Sequence, residues 1–225
     1  AMEMKPIAHI ETDFPEKFGI PRQSGLVEAL RAAVVFEPAY RSAEAVRGLE
    51  EFSHIWLIWE FSRARRENWS PTVRPPRLGG NKRVGVFATR SPFRPNALGL
   101  SAVRLEGVET DGPEGPVLRV AGADLLDGTP IYDIKPYLPY ADAIPGASGG
   151  FTSQVERRQL EVRCPEDLLE QIPPEKREAL LGVLAQDPRP SYQSDPERLY
   201  GMAFAGFQVR FRVEGERLTV VEMTK

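Results

Sequence analysis

The chain of 225 residues has a single cysteine, Cys164, and only two histidines, His9 and His54. One thiol excludes an internal disulfide framework and a multi-cysteine zinc site. The two histidines stand alone, with no second ligand at metal spacing. That predicts structural roles for both and no bound metal. No run approaches the roughly 20 apolar residues that span a bilayer. The opening stretch AMEMKPIAHIETDF lacks the apolar core of a secretion signal. The expectation is a cytoplasmic protein with no membrane partner. Familiar catalytic signatures are missing too. No GxGxxG follows a strand, which argues against a Rossmann cofactor site. There is no P-loop and no HExxH. Cys164 precedes Pro165, and nothing near it in sequence would activate it as a nucleophile.

Proline, by contrast, is abundant: 21 residues, nearly twice the average share of roughly 5%. With 41% hydrophobic and 27% charged residues the chain can still build a core. Prolines at that density favour strands and loops over long helices. Strands are predicted at Ala8 to Glu11, Arg31 to Glu37, Val84 to Ala88, Leu100 to Val108, Val117 to Ala121 and Ile131 to Ile134. Ile55 to Phe61 (IWLIWEF) is a nearly continuous apolar run, which suits a strand buried on both faces and places Trp56 and Trp59 in the core. Arg41 to Leu49 reads as a helix stopped by Gly48. Many short strands and one early helix predict a closed or nearly closed β-barrel. After GASGG (Gly146 to Gly150) the texture changes. Pro165 to Ile172 and Glu175 to Gln186 have helical patterns, and Phe204 to Val213 with Arg217 to Met223 form a hairpin around Gly215. The fold class is therefore mainly β: a small β-barrel domain over 1–146 and a small C-terminal α+β domain over 147–225.

The formal net charge of −3 hides an uneven distribution. From Arg63 to Arg94 nine bases face one acid, Glu67, for a local +8, and the remainder carries −11. Eight of the nine are arginine, the side chain that forks onto phosphates and stacks on bases. Within this stretch Arg63 to Gly80 holds Pro71, Pro75, Pro76 and a Gly-Gly pair, so it is predicted to be an exposed irregular arm. An acidic body repels nucleic acid except at such a patch. Scattered counter-charges on a solvated loop face are the bland alternative.

Three segments are stiff and polar enough to carry chemistry. In FATRSPFRPNALGLS, Pro92 and Pro95 hold Arg90, Arg94 and Asn96 on a rigid loop. The arginines can grip a carboxylate or phosphate, or they can cap backbone carbonyls. In DLLDGTPIYDIKPYLPYAD, Asp127-Gly128 makes a tight turn and Thr129-Pro130 fixes its exit. Alternation puts Ile131, Asp133 and Lys135 on one face. Asp133 and Lys135 are either an ion pair or a proton acceptor with its partner. Asp127 is either a second acceptor or only a turn former. Tyr137 and Tyr140 stack on a base or, the preferred reading, pack over the barrel mouth. In FGIPRQSG, Arg22 and Gln23 sit between a proline and a glycine, which suits ligand contact and simple turn chemistry equally.

KFGIPRQSG, FSHIWLI, VRPPRLGGN, GVFATRSPFRPNALGLS, DGTPIYDIKPYLPYAD and LAQDPRPSY together resemble the TsaA/TrmO family over nearly the whole chain. The resemblance implies a β-barrel tRNA methyltransferase that uses S-adenosylmethionine and works as a homodimer. The substrate it implies is N6-threonylcarbamoyladenosine beside the anticodon of threonine tRNA, methylated at N6. It implies cofactor contacts at Pro21, Arg22, Gln23, Arg90, Leu100, Asp127, Gly128, Thr129 and Pro130. The family pattern has His-Gln where this chain has Ser62-Arg63. A backbone contact at Ser62 and Arg63 would survive that change, and a side-chain contact would not. Within this frame Asp133 or Asp127 takes the N6 proton or orients the carbamoyl, with Asn96 and Lys135 beside the acceptor. Arg94 or Lys135 clamps the threonyl carboxylate. Arg65, Arg66, Arg74, Arg77 and Arg83 hold anticodon stem-loop phosphates. Two other classes compete: a non-catalytic RNA-binding module, and a methyltransferase acting on a small metabolite.

Overall fold

The computed structural model describes residues 1–191 and 193–225. Tyr192, the last residue of LAQDPRPSY, lies outside them. Strands β1 (Ala8–Glu11), β2 (Arg31–Phe36) and β3 (His54–Glu60) are followed by a small hairpin, β4 (Thr72–Val73) and β5 (Val84–Gly85). Then come β6 (Leu98–Glu109), β7 (Val117–Ala121) and β8 (Pro130–Pro136). Six of these close into a barrel in the order β1-β2-β7-β6-β3-β8, every pairing antiparallel. Ile10, Val34, Ile55, Leu57, Val103, Leu118, Val120 and Ile131 fill its interior. The barrel agrees with expectation: closure removes the exposed edges that short strands would otherwise present.

Several local expectations are corrected. Arg41 to Leu49 is not one helix. Three single 3₁₀ turns, Pro38–Tyr40, Ala43–Val46 and Leu49–Glu51, take its place. Only Val46 among their residues is buried, so no apolar face exists to hold a longer helix together. β3 is not buried on both faces: Ile55, Leu57 and Trp59 point inward, whereas Trp56 and Ile58 are half-buried on the outside. Trp56 therefore leaves the core, packs at a tilt against Tyr137 and donates through Nε1 to Asp142 Oδ2 at 2.9 Å. Tyr140 packs over nothing and is 87% exposed. Val84 to Ala88 is strand only at Val84–Gly85 and then turns as a 3₁₀ segment.

The second unit is a four-stranded sheet ordered β10-β11-β12-β9, from β9 (Glu161–Arg163), β10 (Tyr200–Phe204), β11 (Phe207–Glu214) and β12 (Arg217–Thr224). Three short helices complete the chain: α1 (Pro139–Asp142) after the barrel, then α2 (Glu166–Leu169) and α3 (Pro174–Ala185). The run from Phe204 to Val213 is broken by a turn that alternation alone did not signal. Ala205 and Gly206 both have positive φ, at 51° and 83°, and they reverse β10 into β11. Inward Phe207, Val209, Phe211 and Val213 meet Ala179, Leu180, Val183 and Leu184 of α3. Phe14, Val27 and Leu30, from the loop between β1 and β2, belong to this same core. A segment near the N-terminus is thus interior to the C-terminal unit.

Candidate active site

Strand direction puts three long connections on one rim of the barrel. β1 ends there and β2 begins there, joined by residues 12–30. β3 ends there and β6 begins there, joined by 61–97. β7 ends there and β8 begins there, joined by 122–129. These are the three segments singled out from composition: the Pro-Arg-Gln turn, the basic arm with its Arg90 loop, and the Asp-Gly-Thr-Pro turn. Loops carried on a rigid barrel hold functional groups without moving the scaffold.

Backbone contacts weld the first and third loops together. Gly25 N donates to Gly122 O, and Gly122 N donates to Leu30 O, both at 2.9 Å. Gly122 sits at φ +78°, a conformation that glycine adopts without strain, and this turns its backbone onto Gly25. Asp127 N donates to Phe14 O and Gly128 N to Ile10 O, each at 2.8 Å. The Asp127 carboxylate accepts the Thr12 amide at 2.8 Å. Thr129 is buried, and its hydroxyl donates to Leu126 O at 2.6 Å. Asp127 is thus a turn former that locks the turn to loop 12–14.

The second loop is drawn in by side chains. Arg90 Nη1 donates to Gln23 Oε1 at 2.5 Å, which joins two residues 67 apart in sequence. Beneath them lies Asp124. Its Oδ1 accepts the Ser101 hydroxyl at 2.7 Å, and Ser101 Oγ accepts the buried indole N–H of Trp59 at 3.0 Å. Burial pushes the Asp124 carboxyl above its usual range, while hydrogen bonds from Ser101 and the backbone and the charge of Arg90 pull it back. Asp124, Ser101 and Trp59 went unrecognised as site residues in the sequence. Two of them close or open motifs already noted: Ser101 ends FATRSPFRPNALGLS and Asp124 begins DLLDGTP. Only the fold shows that they touch. Gly99 is required beside them, because a Cβ there would sit 2.4 Å from the Trp59 ring.

The other expected residues fall into groups. Pro21 is buried and Gln23 half-buried. Arg22 is exposed, and partial desolvation leaves its guanidinium less basic than usual; nearby Arg77 adds to this, and Asp187 opposes it. Asp187 belongs to LAQDPRPSY, so the C-terminal unit reaches the Pro-Arg-Gln turn. Ser62 and Arg63 root the arm: the Arg63 carbonyl accepts Lys17 Nζ at 3.2 Å, and Arg63 Nη1 donates to Pro15 O at 3.4 Å. Arg65 pairs with Glu60, which also accepts the Tyr132 hydroxyl at 2.6 Å. Arg66 lies 3.8 Å over the Phe93 ring. Arg83 Nη1 donates to Thr72 Oγ1 at 3.2 Å. Arg74 and Arg77 have no hydrogen bond or ion pair among the described residues. Arg94 caps carbonyls: its Nη1 reaches Thr89 O at 2.8 Å and Ser91 O at 3.3 Å. The Asn96 side chain is exposed.

The expected sharing of a face by Ile131, Asp133 and Lys135 is corrected. A register shift between Ile58 and Trp59 bulges β8, so Trp59 opposes Ile131 while Ile58 opposes Asp133. The extra residue inverts the alternation. Ile131 and Ile134 contact the interior, and Asp133 and Lys135 point outward as an ion pair at 3.5 Å. Ile58 also opposes Leu100, so Asp133, Ile58 and Leu100 form one row across the outer surface. At about 4.8 Å per strand, Asp133 and Leu100 are about 10 Å apart. Leu100 is 51% exposed, which suits a ligand contact better than a core role.

Among the described residues no group of three His, Cys, Asp or Glu side chains could hold a metal, and no helix is long and apolar enough to cross a membrane. His9 Nδ1 lies 3.1 Å from Glu37 Oε1, and His54 Nδ1 lies 2.8 Å from Ser53 Oγ. Burial and neighbouring Asp167 push the Cys164 thiol up, away from reactivity.

Comparison with known proteins gives this rim its context. A family model described as the tRNA-methyltransferase O N-terminal domain matches residues 9–143, and its C-terminal counterpart matches 153–225. The chain is 41% identical to a tRNA (adenine(37)-N6)-methyltransferase of Escherichia coli, across 95% of this chain and 94% of that one. It is 52% identical to the enzyme of the same name from Eikenella corrodens, across 72% and 92%. A crystal structure of TrmO from Pseudomonas aeruginosa superposes with a TM-score of 0.81 at 35% identity, covering 100% of this chain and 97% of that one. The two matched spans take in all three rim loops and the C-terminal loop that meets them, and on that ground the chain belongs to the tRNA-methyltransferase O family.

Proposed function

We propose that this protein is an S-adenosylmethionine-dependent tRNA methyltransferase that methylates N6 of adenosine 37, carried as N6-threonylcarbamoyladenosine beside the anticodon of threonine tRNA. The observation behind this reading is the convergence of Gln23, Arg90, Asp124 and the Asp127 turn on one rim, next to an arm of net +8. The residues suit the cofactor chemically. It carries a carboxylate, an ammonium, a sulfonium and an adenine. The rim offers a guanidinium, an amide, a carboxylate and the exposed Leu100. Pro21, Arg22, Gln23, Ser62, Arg63, Arg90, Leu100, Asp127, Gly128, Thr129 and Pro130 would hold it. Bound there, the cofactor supplies a methyl group on a positively charged sulfur that leaves as a neutral thioether.

The remaining work belongs to the protein. It must align the acceptor nitrogen and keep water away, which is worth several kcal/mol when geometry is fixed in advance. The N6 lone pair is delocalised into the purine and the carbamoyl group, so removal of the N6 proton helps. Asp133 takes that proton, Lys135 holds its carboxylate, and Asn96 orients the carbamoyl. Arg65, Arg66, Arg74, Arg77, Arg83 and Arg94 bind the RNA, the last through the threonyl carboxylate. The protein acts in the cytoplasm as a homodimer. The exposed Leu98 and Leu100, beside half-buried Trp56 and Ile58 on the outer barrel wall, favour a covered surface. The division at 146/147 separates the catalytic unit from the unit that backs its first loop. The test is mass spectrometry of tRNA nucleosides from cells with and without this protein. Loss of the N6-methylated nucleoside is expected, and an unchanged nucleoside profile would overturn the reading.

A further inference from the structure

The basic arm carries more than charge. Among the described residues five aromatic rings are exposed, and three of them, Trp69, Phe87 and Phe93, lie between Arg63 and Arg94. Phe93 has a partner, because the Arg66 guanidinium covers one face. Among the described residues Trp69 and Phe87 pair with each other and with no further ring or cation. Their centroids are 6.0 Å apart with planes inclined by 29°, and they are 53% and 72% exposed. Two large rings left in water at that exposure are costly unless something covers them.

The surroundings indicate the occupant. The segment has a net charge of +8, which repels a basic partner and attracts a polyanion. An aromatic pair set in a basic strip is the chemistry that binds single-stranded nucleic acid: cations take the phosphates and rings take the bases. A base inserted between two rings needs about 7 Å, two stacking steps of about 3.4 Å. The pair is too close for that, so a base must stack on an outer face. Position along the chain supplies the rest. Phe87 precedes Arg90 by three residues, at most about 11 Å of extended chain, and Arg90 holds Gln23 at the rim. A base on Phe87 is therefore a near neighbour of any base presented to the rim.

We propose that Trp69 and Phe87 form a stacking platform for an unpaired anticodon-loop base adjacent to the methylated adenosine, fixing the loop so that the acceptor alone enters the rim. This rests on the reading that the arm binds tRNA. The platform positions RNA and does not take part in methyl transfer.

The experiment uses the full chain and an anticodon stem-loop RNA with 2-aminopurine next to position 37. Wild-type protein is expected to quench that fluorophore by stacking. Trp69→Ala and Phe87→Ala should each abolish the quench and weaken binding about 5- to 150-fold, the range of one base–aromatic stack. The salt dependence should stay as in wild type, because stacking releases no counterions. Trp69→Phe and Phe87→Tyr should restore the quench. Both positions are exposed, so melting temperatures serve as the control for folding. If the alanine variants bind and quench like wild type while Arg74→Ala and Arg77→Ala lose affinity, the platform is wrong and the arm reading stands. If neither set changes binding, the arm reading falls with it. If the alanine variants convert a dimer to monomer with unchanged affinity per chain, a second copy covers the rings and the proposal is overturned.

Discussion

Ser101 Oγ lies 2.7 Å from Asp124 Oδ1 and also accepts the Trp59 indole N–H at 3.0 Å, so one hydroxyl links the barrel wall to the floor of the rim. Ser101→Ala would leave a buried N–H and a half-buried carboxylate short of a partner. The expected cost is about 1–3 kcal/mol, read from urea unfolding. Wild-type stability in that variant would mean that water replaces the hydroxyl.

Asp124 gives a pH signature whose sign follows from burial. Its folded carboxyl is shifted upward, so the native state binds the proton more tightly than the unfolded chain. Stability contributed at this site falls as pH rises from the ordinary carboxylate range through the folded value. Asp124→Asn keeps an acceptor for Ser101 and removes the charge. Relative to wild type it should gain stability above the ordinary carboxylate range, and weaken cofactor binding if the charge of Asp124 is what holds Arg90 and the rim in place. Melting curves across pH, beside calorimetry with S-adenosylmethionine, check both halves.

Asp133→Asn tests the proton acceptor. General-base assistance is worth about 10²–10⁴ in rate, so single-turnover methylation should fall by that factor with tRNA and cofactor affinity nearly unchanged. The ion pair with Lys135 is mostly exposed and worth little to stability. Normal turnover in a folded Asp133→Asn enzyme would leave alignment alone to explain the chemistry.

Asp127→Asn should behave differently. Its carboxylate serves the Thr12 amide, so the loss appears as a loosened turn and weaker cofactor binding. Calorimetry showing full affinity would remove Asp127 from the cofactor contacts.

Arg74 and Arg77 lack protein partners among the described residues, which leaves them free for phosphate. Replacing both with Ala should reduce the slope of log affinity against log salt by about 1.4–1.8, at about 0.7–0.9 per phosphate contact. Filter binding between low and moderate salt measures it. An unchanged slope would put the tRNA on another surface.

Much of the barrel was legible because alternation and turn chemistry are local. β7 was read at its observed bounds, Val117–Ala121. Errors arose where long-range packing overrode a local pattern. Arg41 to Leu49 has helical residues but no surface to bury. The bulge opposite Ile58 changed which side Asp133 faces, and no spacing rule announces a bulge. The motif loops at Gln23, Arg90 and Asp127 were identified in advance, but their meeting on one rim depends on strand order, which composition does not encode. The Asp124–Ser101–Trp59 chain was invisible for a related reason: each residue is ordinary in its own segment.

The loop that carries Pro21, Arg22 and Gln23 shares its core with Phe204, Phe211 and Val220, which are made well after the barrel strands. Nascent chains fold from the N-terminus as they emerge. The barrel's six strands are complete by Pro136, yet the loop that forms one wall of the rim still lacks the core behind it. The nascent barrel therefore stays unfinished as a site until the C-terminal unit has emerged and packed behind that loop.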